Sequence, residues 1–145
     1  MAQSNSDEWG TPVNLYIGAC VEFNIEPMLD VCATFQNTKC PVFFNKEFDG
    51  LKQNWDQDFF MNPPFSEAKK WIKKAFDEHR KFNVNGMACL AARTDTQAWH
   101  EYILGIDNCE VIFIQGRVKY LMPDGNPSIN PSPFPSALVV WRKFN

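Results

Sequence analysis

The sequence predicts an α/β fold in one domain, residues 1–145, with a mostly parallel sheet, an antiparallel hairpin at one edge and helices on both faces. The chain has 145 residues, which is the size of one ordinary domain. Its hydrophobic fraction of 45% is enough for a dense core and too high for a disordered chain. Short apolar runs alternate with amphipathic patterns, and this alternation is typical of a parallel sheet covered by helices.

The first three predicted strands are the short apolar runs Met28–Ala33, Val42–Asn45 and Asp58–Met61. The third strand is expected to end abruptly, because Pro63 and Pro64 can neither donate a ladder hydrogen bond nor continue directly into a helix. Ligand sites of such sheets lie at the carboxyl ends of the strands. Asp30 and Asn62 occupy two of these ends.

A lysine-rich amphipathic helix is predicted to follow, with Ser66 as its N-cap. Its apolar residues recur at helical spacing at Ala68, Trp71, Ile72, Ala75 and Phe76. Lysines occupy the positions between them, at Lys69, Lys70, Lys73 and Lys74. We therefore expect one face of the helix, including Trp71, to pack on the sheet and the other face to be basic.

The remaining predicted strands are Met87–Ala92, Glu110–Gln115, Val118–Leu121 and Ser136–Trp141. A helix beginning at Asp95 or Thr96 is predicted between the first two of them. The last two strands flank the segment Met122–Pro135, which carries five of the ten prolines of the chain. We expect these two strands to form the antiparallel edge hairpin, and the proline-rich segment to be a surface loop.

Charge is unevenly distributed along the chain, although the net charge is only −3. Residues 1–65 hold three Lys and nine Asp or Glu, whereas residues 66–81 hold six Lys or Arg and three acids. An acidic first half beside a basic helix suits a cationic small molecule next to a phosphate backbone.

The cysteine and histidine content indicates the cellular compartment. The five cysteines include no CxxC pair and the chain has only two His, so the spacing of zinc ligands is absent, and we predict reduced thiols and no metal. Residues 1–7 lack the basic and apolar regions of an export signal, and no window approaches the roughly 18–20 apolar residues of a membrane span. The sequence predicts a soluble, cytoplasmic protein with no membrane partner.

The turn Asn62–Phe65, of sequence Asn-Pro-Pro-Phe, is the most informative feature of the chain. Because proline donates no backbone hydrogen bond, the carbonyl of Pro63 and the side-chain oxygen of Asn62 can both face outward as acceptors on a stiff backbone. Two acceptors match the two N–H donors of an exocyclic amino group, and Phe65 can stack on the ring that bears it. This geometry fits adenine.

At these residues the chain resembles amino-group DNA methyltransferases that use S-adenosylmethionine, and more closely the small phage adenine-N6 methyltransferases of the Dam type. Similar segments follow in the same order as in that family: Trp9–Pro12, Leu29–Ala33, Asn37–Cys40, Asp49–Leu51 with Trp55, Asn62–Ser66, Arg93–Thr96, Gly116–Arg117 and Pro133–Ser136. The resemblance implies a Rossmann-like class I methyltransferase fold. It also implies transfer of a methyl group from the sulfonium of S-adenosylmethionine to N6 of adenine in DNA.

The resemblance further implies roles for individual residues. Asn62, Pro63, Pro64 and Phe65 would form the catalytic pocket for a base swung out of the helix. The residues implied in cofactor binding are Trp9, Thr11, Pro12, Asp30, Cys32, Ala33, Asp49 and Leu51. Among these, Asp49 would meet the adenine amino group of the cofactor, and Thr11 and Asp30 would line its methionine end.

Contacts to double-stranded DNA are expected at Ser66, Lys69, Arg93, Arg117, Lys119 and Asn126. The loop Met122–Pro135 is the candidate reader of base edges, because it is the sizeable irregular segment that a Rossmann-like core leaves over. Because the loop offers few side chains that could contact base edges, we predict a short or relaxed target sequence. A homodimer would double the contact surface with DNA. If a phage encodes the chain, its location would be the host cytoplasm.

Two other functions fit the same residues. A similar Asn-Pro-Pro-aromatic turn serves glutamine-N5 protein methyltransferases, so methylation of a side-chain amide stays open. A catalytically decayed relative that binds DNA or a host protein without turnover also stays open.

Overall fold

The computed structural model of the protein describes residues 9–145, so residues 1–7, from which we predicted the lack of an export signal, lie outside the described residues. A six-stranded sheet forms the centre of the fold. The strands are β1 (Leu29–Asp30), β2 (Val42–Phe43), β3 (Phe59–Met61), β4 (Gly86–Ala91), β5 (Cys109–Phe113) and β6 (Ser136–Trp141). The helices are α1 (Val13–Phe23), α2 (Ala68–Phe82) and α3 (Gln97–Tyr102), and short 3-10 turns lie at Gly50–Lys52 and Phe65–Glu67.

The order of the strands across the sheet is β2-β1-β3-β4-β6-β5. The first four of these are parallel to one another, whereas β6 is antiparallel to both of its neighbours, β4 and β5. This arrangement confirms the predicted fold class, a mostly parallel Rossmann-like sheet with antiparallel strands towards one edge. The carboxyl ends of β1, β2, β3 and β4 consequently share one edge of the sheet.

Alternating side chains of the strands build two apolar layers, one on each face of the sheet. In β3, Phe59 and Met61 face the layer that contains Trp71 of α2, whereas Phe60 faces the layer that contains Phe23 of α1. Trp99 of α3 joins the first layer. The period of two in the strands therefore places α2 and α3 on one face and α1 on the other.

The predicted partner of β6 was wrong. Val118–Leu121 is not a strand of the sheet, because β6 already has β4 on one side and β5 on the other, and the antiparallel edge pair is β5 with β6. The backbone of the segment pairs with loops instead. The carbonyl of Val118 accepts the N–H of Ser132 at 2.8 Å, and Leu121 exchanges two hydrogen bonds of 2.7 Å with Gly10.

The predicted start of α2 was also wrong. Ser66 lies inside the 3-10 turn, and Glu67 takes the N-cap position of α2. This shift follows from the two prolines, because the carbonyl of Pro64 accepts the N–H of Glu67 at 3.1 Å and closes a tight turn before the helix begins. The apolar stripe is as predicted, with Trp71 and Ile72 buried. Helix α3 begins after Thr96, one of its two predicted starts.

Helix α1 has no counterpart among the predicted elements. Pro12 takes its N-cap position, and Ala19 and Phe23 are buried against the sheet. Its outer face carries Ile17 and Val21, which are exposed. No disulfide joins any of the cysteines within residues 9–145.

A two-cavity site at the carboxyl edge of the sheet

Two cavities lie side by side where the parallel strands end. The first has a volume of about 640 Å³ and lies at the ends of β1, β2 and β3. The second, of about 670 Å³, lies between the start of α2 and the proline-rich loop. The turn Asn62–Phe65 separates them, since Asn62 and Pro64 line the first cavity and Phe65 lines the second, while Trp9 lines both.

The amide of Asn62 is held in one orientation. Its Nδ2 donates a short hydrogen bond to the carbonyl of Trp9. Its Oδ1 is buried and has no hydrogen-bond partner within residues 9–145. A buried acceptor left unpaired costs about 1–3 kcal/mol. The site therefore holds an acceptor, fixed by its own amide group, that a donor from a ligand would satisfy.

The first cavity is apolar on one side and polar on the other. Val31, Phe44, Leu51 and Trp71 supply the apolar wall, and the polar lining includes Asn45, Glu47 and Asp49. The 3-10 turn lies so close to β1 that a Cβ on Gly50 would sit 2.2 Å from the carbonyl oxygen of Val31. Asp49 caps this turn, because its carboxylate accepts the N–H of Leu51 at 3.2 Å.

Asp30 lies beneath the loop that forms another wall of the first cavity. The carboxylate is buried and accepts the N–H of Lys39 at 2.9 Å and the N–H of Cys32 at 3.4 Å. Burial nevertheless raises the pKa of Asp30 to about 7, and the two backbone N–H groups oppose that rise. The residue does not itself line the cavity; it holds together the two ends of the loop 32–39, which does.

Aromatic rings form the second cavity. Phe65 meets Tyr120 edge to face at a centroid distance of 5.5 Å and Phe134 at 4.6 Å. The guanidinium carbon of Arg93 lies 5.4 Å from the centroid of Phe134. The hydroxyl of Tyr120 pairs with Ser136 Oγ at 2.7 Å, and burial raises the pKa of Tyr120, so the phenol stays neutral. The second cavity therefore combines aromatic side chains with residues of the proline-rich loop and the cation of Arg93.

The structure brings most of the predicted site residues together, although their roles stay predictions. Those that line the first cavity are Trp9, Cys32, Ala33, Asp49, Leu51, Asn62 and Pro64. Those that line the second are Trp9, Phe65, Ser66 and Arg93. Those that line neither are Thr11, Pro12, Asp30, Pro63, Lys69, Arg117, Lys119 and Asn126.

Several lining residues were not predicted as part of the site. Phe44, Asn45 and Glu47 directly follow β2. These residues could have been predicted from the sequence, because a parallel strand was predicted at Val42–Asn45 and ligand sites lie at the ends of such strands. Trp71 was predicted as core, and it is both buried and part of the cavity wall.

The basic face of α2 is largely paired with acids of the same helix region. Lys73 meets Asp77 at 2.6 Å, and Lys74 meets Glu78 at 3.6 Å. Lys70 lies 3.6 Å from Glu67. The cations that were predicted to contact DNA, Lys69, Arg93, Arg117 and Lys119, are all exposed.

Metal and membrane features are not seen in the described part of the chain. Between residues 9 and 145, no three or more His, Cys, Asp or Glu side chains are grouped so that they could hold a metal ion. Over the same residues, every helix falls short of the length and apolar character needed to cross a membrane.

Comparison with known proteins places these features in a family. The chain is 26% identical over 143 residues to a DNA N-6-adenine-methyltransferase of Haemophilus phage HP1, an alignment that covers 97% of this chain and 81% of that protein. Residues 1–145 match the family described as DNA N-6-adenine-methyltransferase (Dam). The sheet is consistent with a Rossmann-like methyltransferase and the family match spans the whole length, so the chain belongs to the Dam family of adenine-specific DNA methyltransferases.

Proposed function

We propose that the protein transfers a methyl group from S-adenosylmethionine, bound in the first cavity, to N6 of an adenine held in the second. The observation that carries this proposal is the unpaired Oδ1 of Asn62, at the turn between the two cavities. An exocyclic amino group would give this oxygen the donor that it lacks. The phage relative suggests that the reaction takes place in the cytoplasm of a host cell.

The first cavity fits a cofactor of this kind in size and lining. Its volume of about 640 Å³ is within the range of small-molecule sites. Leu51 and Trp71 would pack on the flat adenine ring, while Asp49 would accept its amino group. S-adenosylmethionine supplies a methyl group on a positively charged sulfur, so the attacking nitrogen forms the new C–N bond while the C–S bond breaks and a thioether leaves.

The chain's own task is to hold the amino group of the target. Asn62 Oδ1 and the carbonyl of Pro63 would each accept one N–H, which keeps the nitrogen lone pair free to attack and fixes its direction. The reacting nitrogen loses one proton to solvent as it gains the methyl group. Phe65, which contacts Tyr120 and Phe134 edge to face, would stack against the base after the base leaves the duplex.

Apart from Pro63, which belongs to the turn between the two cavities, the predicted residues outside the cavities would act indirectly or on the DNA. Asp30 would position the loop 32–39, and Thr11 and Pro12 would hold Trp9 in place at the start of α1. Lys69, Arg117 and Lys119 would meet phosphates, while Ser66 and Arg93 lie at the base cavity. Asn126 belongs to the proposed reading loop, and homodimer formation stays a prediction.

Substitution of Asn62 tests the proposal. We expect Asn62→Ala to lower the rate of methyl transfer to duplex DNA by about 100-fold or more, as for other losses of a single preorganised hydrogen-bonding group. Binding of S-adenosylmethionine, measured by calorimetry, should weaken far less. Phe65→Tyr should retain more activity than Phe65→Ala. The control is Asn14→Ala, an exposed asparagine on α1 that lines neither cavity.

Labelled S-adenosylmethionine, offered with DNA or with a glutamine-containing peptide, separates the alternatives. Label on adenine N6 supports the proposal. Label on the glutamine side chain alone, or a near-normal rate for folded Asn62→Ala, would overturn it. Absence of transfer to either substrate would identify a decayed binder.

A further inference from the structure

Ile129 is the most exposed large hydrophobic side chain in residues 9–145, with 87% of its surface accessible. It also lines the rim of the second cavity. Scattered exposed apolar residues are ordinary on protein surfaces, so exposure alone carries no function. The position of Ile129 beside an aromatic cavity distinguishes it from the exposed aliphatic residues of α1.

The backbone on both sides of Ile129 is held firmly. The N–H of Ser128 donates to the carbonyl of Tyr120 at 2.9 Å, and Ser128 Oγ donates to the carbonyl of Asn130 at 2.8 Å. Pro127 and Pro131 flank these three residues and restrict their backbone further. The side chain therefore projects from a rigid turn, and little conformational freedom remains to be lost when it binds.

A base that enters the second cavity leaves a gap in the DNA stack. Apolar side chains such as Ile fill gaps of this kind between base steps, and the cost of unstacking decides how readily a base leaves. Burial of one aliphatic side chain is enough to shift such an equilibrium by about ten- to a hundredfold. Ile129 is an exposed apolar side chain of this type that lines the second cavity.

We propose that Ile129 inserts into the duplex beside the target adenine and stabilises its flipped position. This inference rests on the proposed function, because it takes the second cavity as the place of the base. Ile129 is thus a positioning residue: it contacts the neighbouring base pairs and not the reacting atoms. Its effect must vanish when the target base is already unstacked.

The test compares two duplexes, one with the target adenine paired normally and one with an abasic position opposite it. For Ile129→Ser we expect methylation of the paired duplex to fall by about ten- to a hundredfold, and the rate on the abasic duplex to stay near that of the wild type. Fluorescence of 2-aminopurine at the target position should report less flipping. Ile129→Met should retain most of the activity.

Val21→Ser is the matched control, because Val21 is 76% exposed and lines neither cavity. Equal losses of Ile129→Ser on both duplexes, or no loss on the paired duplex, would overturn the role of Ile129 while the proposed function stands. A wild-type protein that methylates neither duplex would overturn the proposed function, and the insertion with it.

Discussion

Replacement of Asp30 by asparagine should change how the free energy of unfolding depends on pH. Asp30 is 2% exposed, and its pKa of about 7 lies well above the value of about 3.9 expected in the unfolded chain. Between these two values the folded protein binds one more proton than the unfolded one. The protonated carboxyl therefore makes its full contribution to the free energy of unfolding below about pH 3.9. That contribution is lost as the pH rises towards 7. About three pH units at about 1.4 kcal/mol each give a loss of about 4 kcal/mol.

Urea unfolding of wild type and Asp30→Asn at about pH 5, 6, 7 and 8 measures this effect. The difference between the two proteins cancels the other titrating groups, because asparagine does not titrate. The stability of Asp30→Asn relative to wild type should rise by about 1.4 kcal/mol per pH unit up to about pH 7 and then level off. A difference that stays flat or falls would refute the reasoning, since it would mean that the N–H groups of Cys32 and Lys39 outweigh burial.

Two further predictions concern packing and DNA affinity. Gly50→Ala should lower the free energy of unfolding by about 1–3 kcal/mol, because the new Cβ would collide with the carbonyl oxygen of Val31. A Cβ on Gly18 in α1 would meet nothing within 4 Å, so Gly18→Ala should raise the free energy of unfolding by about 0.5–1 kcal/mol in the same urea assay. Lys119→Ala should reduce the slope of log Kd for duplex DNA against log salt by about one. Lys143→Ala is its control, because Lys143 lies after β6 at the opposite edge of the sheet. Equal slopes for the two variants would remove Lys119 from the DNA contacts.

The sequence predicted the elements whose apolar period was clear and missed one where it was not. In α2 the apolar residues lie on one stripe, so the helix was recognised. In α1 they lie on all sides, with Phe23 buried while Ile17 and Val21 are exposed. A helix with apolar residues all round has no distinct hydrophobic face, and pattern analysis therefore cannot separate it from a strand or a loop.

Pairing of strands was harder to predict than their existence. Ser136–Trp141 was correctly predicted as a strand, but Val118–Leu121 was given as its partner because it is the nearest apolar run before the prolines. The sequence does not encode locally that β6 fits between β4 and β5, since that choice depends on contacts across the whole sheet. Tyr120 is buried without belonging to a strand, because it lies in the apolar layer that also contains Phe60, Met87 and Cys89 of the sheet.

Some site residues could be predicted from adjacent residues of the sequence, whereas others reach the site only through the order of the strands. The turn Asn62–Phe65 was predicted because four adjacent residues carry its chemistry. Phe44 and Asn45 come from a neighbouring strand, and only the sheet order brings them to the same cavity. Asp30 was expected at the cofactor, and its burial beneath the loop depends on how that loop closes, which no single segment determines.

The position of β6 also governs when the enzyme can become active during synthesis. Of the six strands it is made last, yet it lies between β4 and β5, and it is the sole ladder partner of β5 in the described residues. Domains fold as units while chains emerge from the ribosome amino end first. A nascent chain that has not reached Ser136 leaves β4 with an open edge and β5 without a partner, and exposed edges of this kind invite aggregation. Residues 128–134, which form one wall of the second cavity, directly precede β6, so this wall gains its anchor only at that moment. A partly synthesised chain that ends before Ser136 therefore lacks a completed second cavity.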